Sequence, residues 1–249
     1  KSGKSGKAKI KVESFYGAKS VLNPVEMANG QEYINYFNEK QTSTGGSYQL
    51  SPNQAYDTDW YDELIGTAFS NNNNVAISGG SENVDYFFSV NNYNEDGLLK
   101  DQRYNRTTIR TNNTFKLFEG RLKLTPNVNL SFTNENPKGY GVFNDAYRQS
   151  PLVPVYYESG QYGQSFVNQS TGLVGYQGAP GETIGRLNSI GNPVANAFYD
   201  NQKIQTTNLQ GLFKAEFDVT DWLKLSSRFG ATKYYYKKRV FNDVKGRWL

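Results

Sequence analysis

Between Arg121 and Asn134 the chain switches between apolar and polar side chains at nearly every step, a pattern no helix can satisfy. Strand side chains point alternately to opposite faces. Leu122, Leu124, Val128, Leu130 and Phe132 therefore share one face, and Arg121, Lys123, Thr125, Asn127, Asn129, Ser131 and Thr133 share the other. The same reading holds from Ile204 to Val219, where Leu209, Phe213, Ala215, Phe217 and Val219 oppose Asn208, Gln210, Lys214, Glu216 and Asp218. It holds again from Leu223, with Leu225, Phe229 and Ala231 against Lys224, Ser226, Arg228 and Thr232. Further strands are expected over Ala8 to Gly17, Asn73 to Gly79, Val84 to Tyr93 and Tyr104 to Leu117. That makes about seven strands, and an aromatic content of 15% with 24 glycines suits a turn-rich, all-β chain.

Short and long connections alternate strictly. Gly80-Ser81-Glu82-Asn83, Phe118-Glu119-Gly120-Arg121 and Thr220-Asp221-Trp222 read as tight hairpin turns, whereas Ala18 to Asn72, Asn94 to Arg103 and Glu135 to Lys203 are long. In an up-and-down antiparallel sheet, successive connections lie at opposite ends, so every tight turn falls at one end and every long loop at the other. An outer-membrane barrel has this plan, with short periplasmic turns and long extracellular loops. Several alternating runs also exceed the usual globular strand of about 5 or 6 residues. A soluble β-sandwich shares the alternation but accounts for neither loop parity nor strand length. Helical pieces are expected inside the loops, over Pro24 to Lys40, Asp59 to Leu64 and Asn144 to Gln149, while Thr42 to Ser47 and Asn71 to Asn74 read as loop composition.

Composition removes whole classes of function. With no Cys and no His, thiolate chemistry, disulfides, imidazole bases and the usual zinc or haem ligands are absent from this chain. The 27 basic and 23 acidic side chains leave a charge of +4, too mild to argue for nucleic acid. No run approaches the roughly 20 apolar residues of a membrane-spanning helix. The first residue is Lys1, and Arg247-Trp248-Leu249 follow a strand-like run, so both ends read as lying within a longer protein.

Four groups of residues invite a chemical reading. Gly3-Lys4-Ser5 resembles the tail of a phosphate-binding loop, but a basic strand follows rather than a helix, and a cationic linker is the simpler account. Asp57, Asp59, Asp62 and Glu63 could supply a glycosidase pair or a calcium site; helix capping is the plainer alternative. Aromatic residues divide between membrane-interface positions, such as Tyr86, Phe88, Tyr93 and Tyr234 to Tyr236, and the longest loop. There Tyr140, Phe143, Tyr147, Tyr156, Tyr157, Tyr162 and Phe166 either stack on sugars, cover a peptide, or pack the loop upon itself. Arg106, Arg110, Asn112 and Lys116 line a wet lumen if the sheet closes and an ordinary solvated face if it does not.

Several ordered stretches resemble the early barrel segment of SusC/RagA-type TonB-dependent transporters of Bacteroidota. They are Asp59-Trp60-Tyr61-Asp62-Glu63, Asn74-Val75-Ala76-Ile77-Ser78-Gly79-Gly80-Ser81-Glu82, Tyr86-Phe87-Phe88-Ser89-Val90 and Glu95-Asp96-Gly97-Leu98-Leu99. Arg148 to Tyr156, Asn192-Pro193-Val194-Ala195 and Asp221-Trp222-Leu223-Lys224-Leu225 follow in the same order. The resemblance implies an antiparallel up-and-down transmembrane barrel of about 22 strands, of which this chain holds part, closed by an N-terminal plug and opened through TonB. Residues 1–7 would be the linker from the plug, and residues 8–249 the N-terminal portion of the barrel. It further implies an outer-membrane protein in contact with lipid. Its partners would be a SusD-like surface lipoprotein and an oligosaccharide or peptide substrate, with TonB engaged through a segment outside this chain. Neither covalent chemistry nor a cofactor is expected. An odd count of about seven strands leaves two unpaired edges, so the isolated piece is expected not to transport. The competing readings are a secreted soluble β-domain that binds carbohydrate and, further off, a glycosidase using Asp57, Asp59, Asp62 or Glu63.

Overall fold

The computed structural model describes residues 6–175 and 182–242; Gly3-Lys4-Ser5 and Arg247-Trp248-Leu249 lie outside them. Seven long strands form one antiparallel sheet in the order β1-β2-β3-β4-β5-β9-β10. They are β1 (Gly6–Lys19), β2 (Ala68–Gly80), β3 (Val84–Asp96), β4 (Arg103–Leu117), β5 (Leu122–Asn136), β9 (Asp200–Asp218) and β10 (Lys224–Asn242). Chain neighbours are sheet neighbours throughout, with β5 meeting β9 across the longest loop. As the sequence predicts, residues 81–83, 118–121 and 219–223 turn at one end, and 20–67, 97–102 and the described parts of 137–199 run at the other. β1 and β10 stay unpaired on their outer sides among the described residues, so the sheet is an open ribbon.

The ladder register carries the alternation from strand to strand without a slip of face. Val12, Val75, Val90, Ile109, Leu130 and Leu209 are successive cross-strand partners, and Ile10, Ile77, Phe88, Thr111, Val128 and Gly211 form the next row. One residue along each strand, Lys11, Ala76, Ser89, Arg110, Asn129, Gln210 and Thr232 make a row on the other face. Accessibility differs in the same sense. The small side chains Ala76, Ser89, Thr108 and Ser131 on the polar face are buried, while Val75, Phe88, Val128, Phe132 and Phe213 on the apolar face are exposed. These small groups lie between longer neighbours such as Arg106, Arg110 and Asn129, and two hollows spanning β2 to β9 open on that side, so the sheet curls toward it. No second sheet packs against the apolar face among the described residues, so the dry interior of a sandwich is absent.

Three sequence expectations need correction. Asn71 to Asn74 are strand rather than loop, paired through β2 with Asn94, Tyr93, Asn92 and Asn91 of β3, because cross-strand amide bonding compensates for their poor strand propensity. The first helix, α1 (Gly30–Thr44), begins six residues after Pro24. Asn29 and Glu32 form a reciprocal capping box that fixes its start, and Gly45, in the left-handed region at φ 67°, ends it. Of the proposed interface aromatics, Tyr86, Phe88 and Tyr235 lie on the apolar face, but the register turns Tyr93, Tyr234 and Tyr236 to the polar one.

Candidate functional site: the curved polar face and its loop cap

Arg106, Arg110, Asn112 and Lys116 occupy alternate positions of β4 and all project from the polar face. Arg106 and Arg110 border an open pocket of about 360 Å³, together with Asn72, Asn74, Asn91, Tyr93 and Tyr104. Arg110 donates from Nε to Asn129 Oδ1 at 3.2 Å, and Asn129 donates in turn to Gln210 Oε1 at 3.3 Å. A second hollow of about 270 Å³ adjoins it around Phe87, Asn112, Asn127 and Leu212. Lys116 pairs with Asp85 at 2.8 Å, whereas neither arginine makes an ion pair among the described residues. The face thus offers two guanidinium groups amid carboxamides and tyrosines, a surface that binds through hydrogen bonds and ring contacts. Tyr104, whose ring meets that of Tyr93 edge to face at 6.0 Å, and Asn91 escaped the sequence reading, which placed Tyr93 at the membrane interface and Asn71 to Asn74 in a loop. Strand parity counted from Ile109 and Val90 would have found both.

The long loops are not separate lids. They fold together into a cap whose apolar core contains Ile34, Leu50, Trp60, Leu64, Val142, Leu152, Val153 and Val167. Its elements are α1, α2 (Trp60–Leu64), α3 (Tyr140–Arg148), α4 (Pro193–Tyr199) and a small sheet of β6 (Phe166–Asn168), β7 (Leu173–Val174) and β8 (Ile184–Arg186). Trp60 is completely buried and donates from its indole nitrogen to the Ser150 carbonyl at 2.9 Å. Gln149 lies at the centre of a polar network. Its amide nitrogen donates to Ser165 Oγ and to the carbonyls of Ile190 and Gly191, while its oxygen accepts from the Ser150 amide and Asn188. The short loop 97–102 joins the cap through Gly66 N–H to the Leu98 carbonyl and Lys100 N–H to the Leu64 carbonyl.

Two of the four acidic residues serve this folding. Asp59 Oδ1 accepts the Tyr61 and Asp62 amides at the start of α2, and Asp57 Oδ1 accepts the Gly30 amide at 2.8 Å at the start of α1. The aromatic candidates separate into two groups. Phe143 and Tyr147, 4.9 Å apart, pack with Tyr61 against the cap core. Tyr156 and Tyr162, 4.8 Å apart, meet Tyr199 and Phe198 of α4 on the cap surface, where Phe198 is 62% exposed. Tyr157 accepts the Gln164 amide at 3.0 Å, and Tyr140 begins α3, its side chain lying outside the described residues. Burial pushes the phenols of Tyr33 and Tyr157 above the ordinary tyrosine range, and burial followed by the hydrogen bond with Tyr156 does the same to Tyr162.

No family model matches this sequence. It is 26% identical over 227 residues to the TonB-dependent receptor P26 of Formosa agariphila, a match covering 90% of this chain and 21% of that protein. It is also 26% identical over 221 residues to the TonB-dependent receptor SusC of Bacteroides thetaiotaomicron, covering 85% of this chain and 21% of that protein. Among solved structures, the RagAB peptide importer in its closed-closed state superposes with a TM-score of 0.66 at 17% identity, over 96% of this chain and 29% of the other. The RagAB peptide transporter gives 0.65. These relatives are receptors and transporters rather than enzymes, and the chain spans about a fifth of the length of the curated ones. A curled up-and-down sheet with all its long loops at one end has the fold of a segment of the RagAB transporter, and its sequence is similar to a segment of TonB-dependent receptors, SusC among them.

Proposed function

We propose that the seven strands form the early part of a barrel of about 22 strands in the outer membrane, with the apolar face toward lipid and the polar face lining a path for an imported oligosaccharide or peptide. The observation that carries this reading is the unequal pair of faces, apolar and exposed on one side and polar and curled on the other. In the same reading residues 1–7 lead in from a plug domain, TonB supplies the opening force elsewhere in the receptor, and the cap of loops meets a SusD-like surface lipoprotein. The outward aromatic group of Tyr156, Tyr162, Phe198 and Tyr199 is the part of the cap best placed for that contact or for the substrate. Energy-dependent uptake by cells carrying the full-length receptor tests the function. Arg106→Ala with Arg110→Ala should slow uptake of a labelled substrate mixture several-fold while leaving receptor abundance unchanged. Tyr156→Ala with Tyr162→Ala should weaken co-purification of the surface lipoprotein or substrate capture. Uptake that ignores both pairs would remove the reading, and so would a full-length protein that stays monodisperse in water without detergent.

A further inference from the structure

The apolar face ends at its loop side in a row of carboxamides. Asn71, Asn94, Asn105, Asn134 and Gln205 are successive cross-strand partners on five adjacent strands, two ladder rows beyond Val75, Val90, Ile109, Leu130 and Leu209. Asn94 donates to Asn71 at 2.9 Å, Asn105 donates to Asn94 at 2.6 Å, and Gln205 donates to Asn134 at 3.1 Å. The row between is mixed: Ser14, Asn73, Asn92, Thr107, Phe132 and Thr207, with Ser14 donating to Asn73 and Asn92 to Thr107. These side chains are alternate residues of the same strands as the apolar band, so they point to the same side and cannot be lumen groups.

Each carboxamide has two N–H donors and an acceptor oxygen. Asn94 fills all three, since it also donates to Asn92 at 2.6 Å, whereas the bonds of Asn105, Asn134 and Gln205 use only part of their capacity. Hydrocarbon offers such unmet groups no partner, so the row is stable only where polar partners are dense. The opposite end of the face carries a different marker. Phe118 and Trp222, 71% and 83% exposed, stand on the turns that join β4 to β5 and β9 to β10. Phe118 and the adjacent Glu119 hold φ of 51° and 54°, conformations that non-glycine residues adopt at a cost. From Leu122 to Phe132 a strand rises about 34 Å along its own axis and, at a tilt of about 40°, about 26 Å along the membrane normal, which matches an apolar band of about 25 Å.

We propose that the Asn71-Asn94-Asn105-Asn134-Gln205 row is a hydrogen-bonding collar for the headgroup layer of the outer leaflet and fixes how deep the receptor sits. The collar rests on the outer-membrane reading above and adds to it a lipid-facing line of carboxamides that runs on from the exposed Tyr16 of β1. Site-directed spin labels in a cysteine-free background of the full-length receptor, reconstituted in bilayers, separate the two. Labels at Val128, Leu130 and Ile109 should collide preferentially with oxygen, and labels at Asn105 and Asn134 preferentially with a water-soluble nickel chelate, with the crossover at Thr107. Replacing Asn94 and Gln205 together by Leu should move that crossover toward the loops by about one ladder row. Oxygen preference at Asn105 and Asn134 equal to that at Leu130 would overturn the collar while leaving the membrane reading intact. Chelate preference at every position would overturn the membrane reading itself. A crossover that stays at Thr107 in the double variant would show that the amides do not set the depth.

Discussion

Asn192 uses its entire carboxamide. The oxygen accepts the amides of Val194 and Ala195 at the start of α4, and the nitrogen reaches the carbonyls of Pro154, Val155 and Gly163 in a fully buried position. Loss of a helix cap costs about 1 kcal/mol, and each buried carbonyl left without a donor adds about 1–3 kcal/mol. Asn192→Ala should therefore destabilise the cap by several kcal/mol, seen as loop cleavage by added protease under conditions where the parent resists. Asn192→Asp keeps the cap acceptor but presents a charge to three carbonyls, and should fare no better. The phenols of Tyr33 and Tyr162 also tie the cap to pH. Their folded-state ionisation lies above the unfolded value, so their contribution is complete below about pH 10 and is lost as the pH rises beyond it. Protease resistance of the cap should fall on alkaline titration, and less steeply in Tyr162→Phe.

At the scale of elements, the cap and the sheet are held by different forces. The sheet has its ladders and the environment on its two faces, whereas the cap has an interior of its own centred on Trp60, Leu152 and Val153. Leu152, 1% exposed, touches the start of α1, since a Cβ placed on Gly30 would lie 3.1 Å from its Cδ2. Leu152→Ala should cost about 2–5 kcal/mol. Hydrogen exchange should quicken in α1, α2 and α3 while the strand amides of β3, β4 and β5 keep their protection. The cap is also where the sequence was hardest to read. Strand faces and loop parity are local signals, visible wherever Leu122-Lys123-Leu124 or Phe213-Lys214-Ala215 repeats. The cap core joins Ile34 to Leu152 and Trp60 to Ser150 across 90 residues or more, and no period announces such contacts. Asn71 to Asn74 misled for a related reason: asparagine favours turns by itself, and only the facing asparagines of β3 make it a strand residue here. The stretches that carried the family resemblance, Asp59 to Glu63, Arg148 to Tyr156 and Asn192 to Ala195, prove to be neighbours in the cap, held together by Trp60, Gln149 and Asn192. Their pattern therefore reflects the cap's own packing. That the four β4 candidates share one face follows directly from parity, but most of the partners that complete the pocket of Arg106 and Arg110 lie on β3 and β2, one and two strands earlier in the chain.

For the whole molecule, everything depends on which face meets which medium. An open ribbon with two free edges and a broad apolar face is a poor unit in water, and the same ribbon within a closed barrel has neither fault. Arginine introduced singly along β5 in the full-length receptor, with outer-membrane abundance and unfolding midpoint as readouts, tests this most directly. At Val128, near the middle of the bilayer, the charge should cost about 2–4 kcal/mol and deplete the folded receptor, with a smaller loss at Leu124 and Leu130 nearer its two edges. At Asn127, Asn129 and Ser131 it should leave abundance and midpoint nearly unchanged. A two-residue period in that order is the predicted result; equal tolerance on both faces, or the reverse order, would contradict the assignment of lipid to one side of the sheet and water to the other.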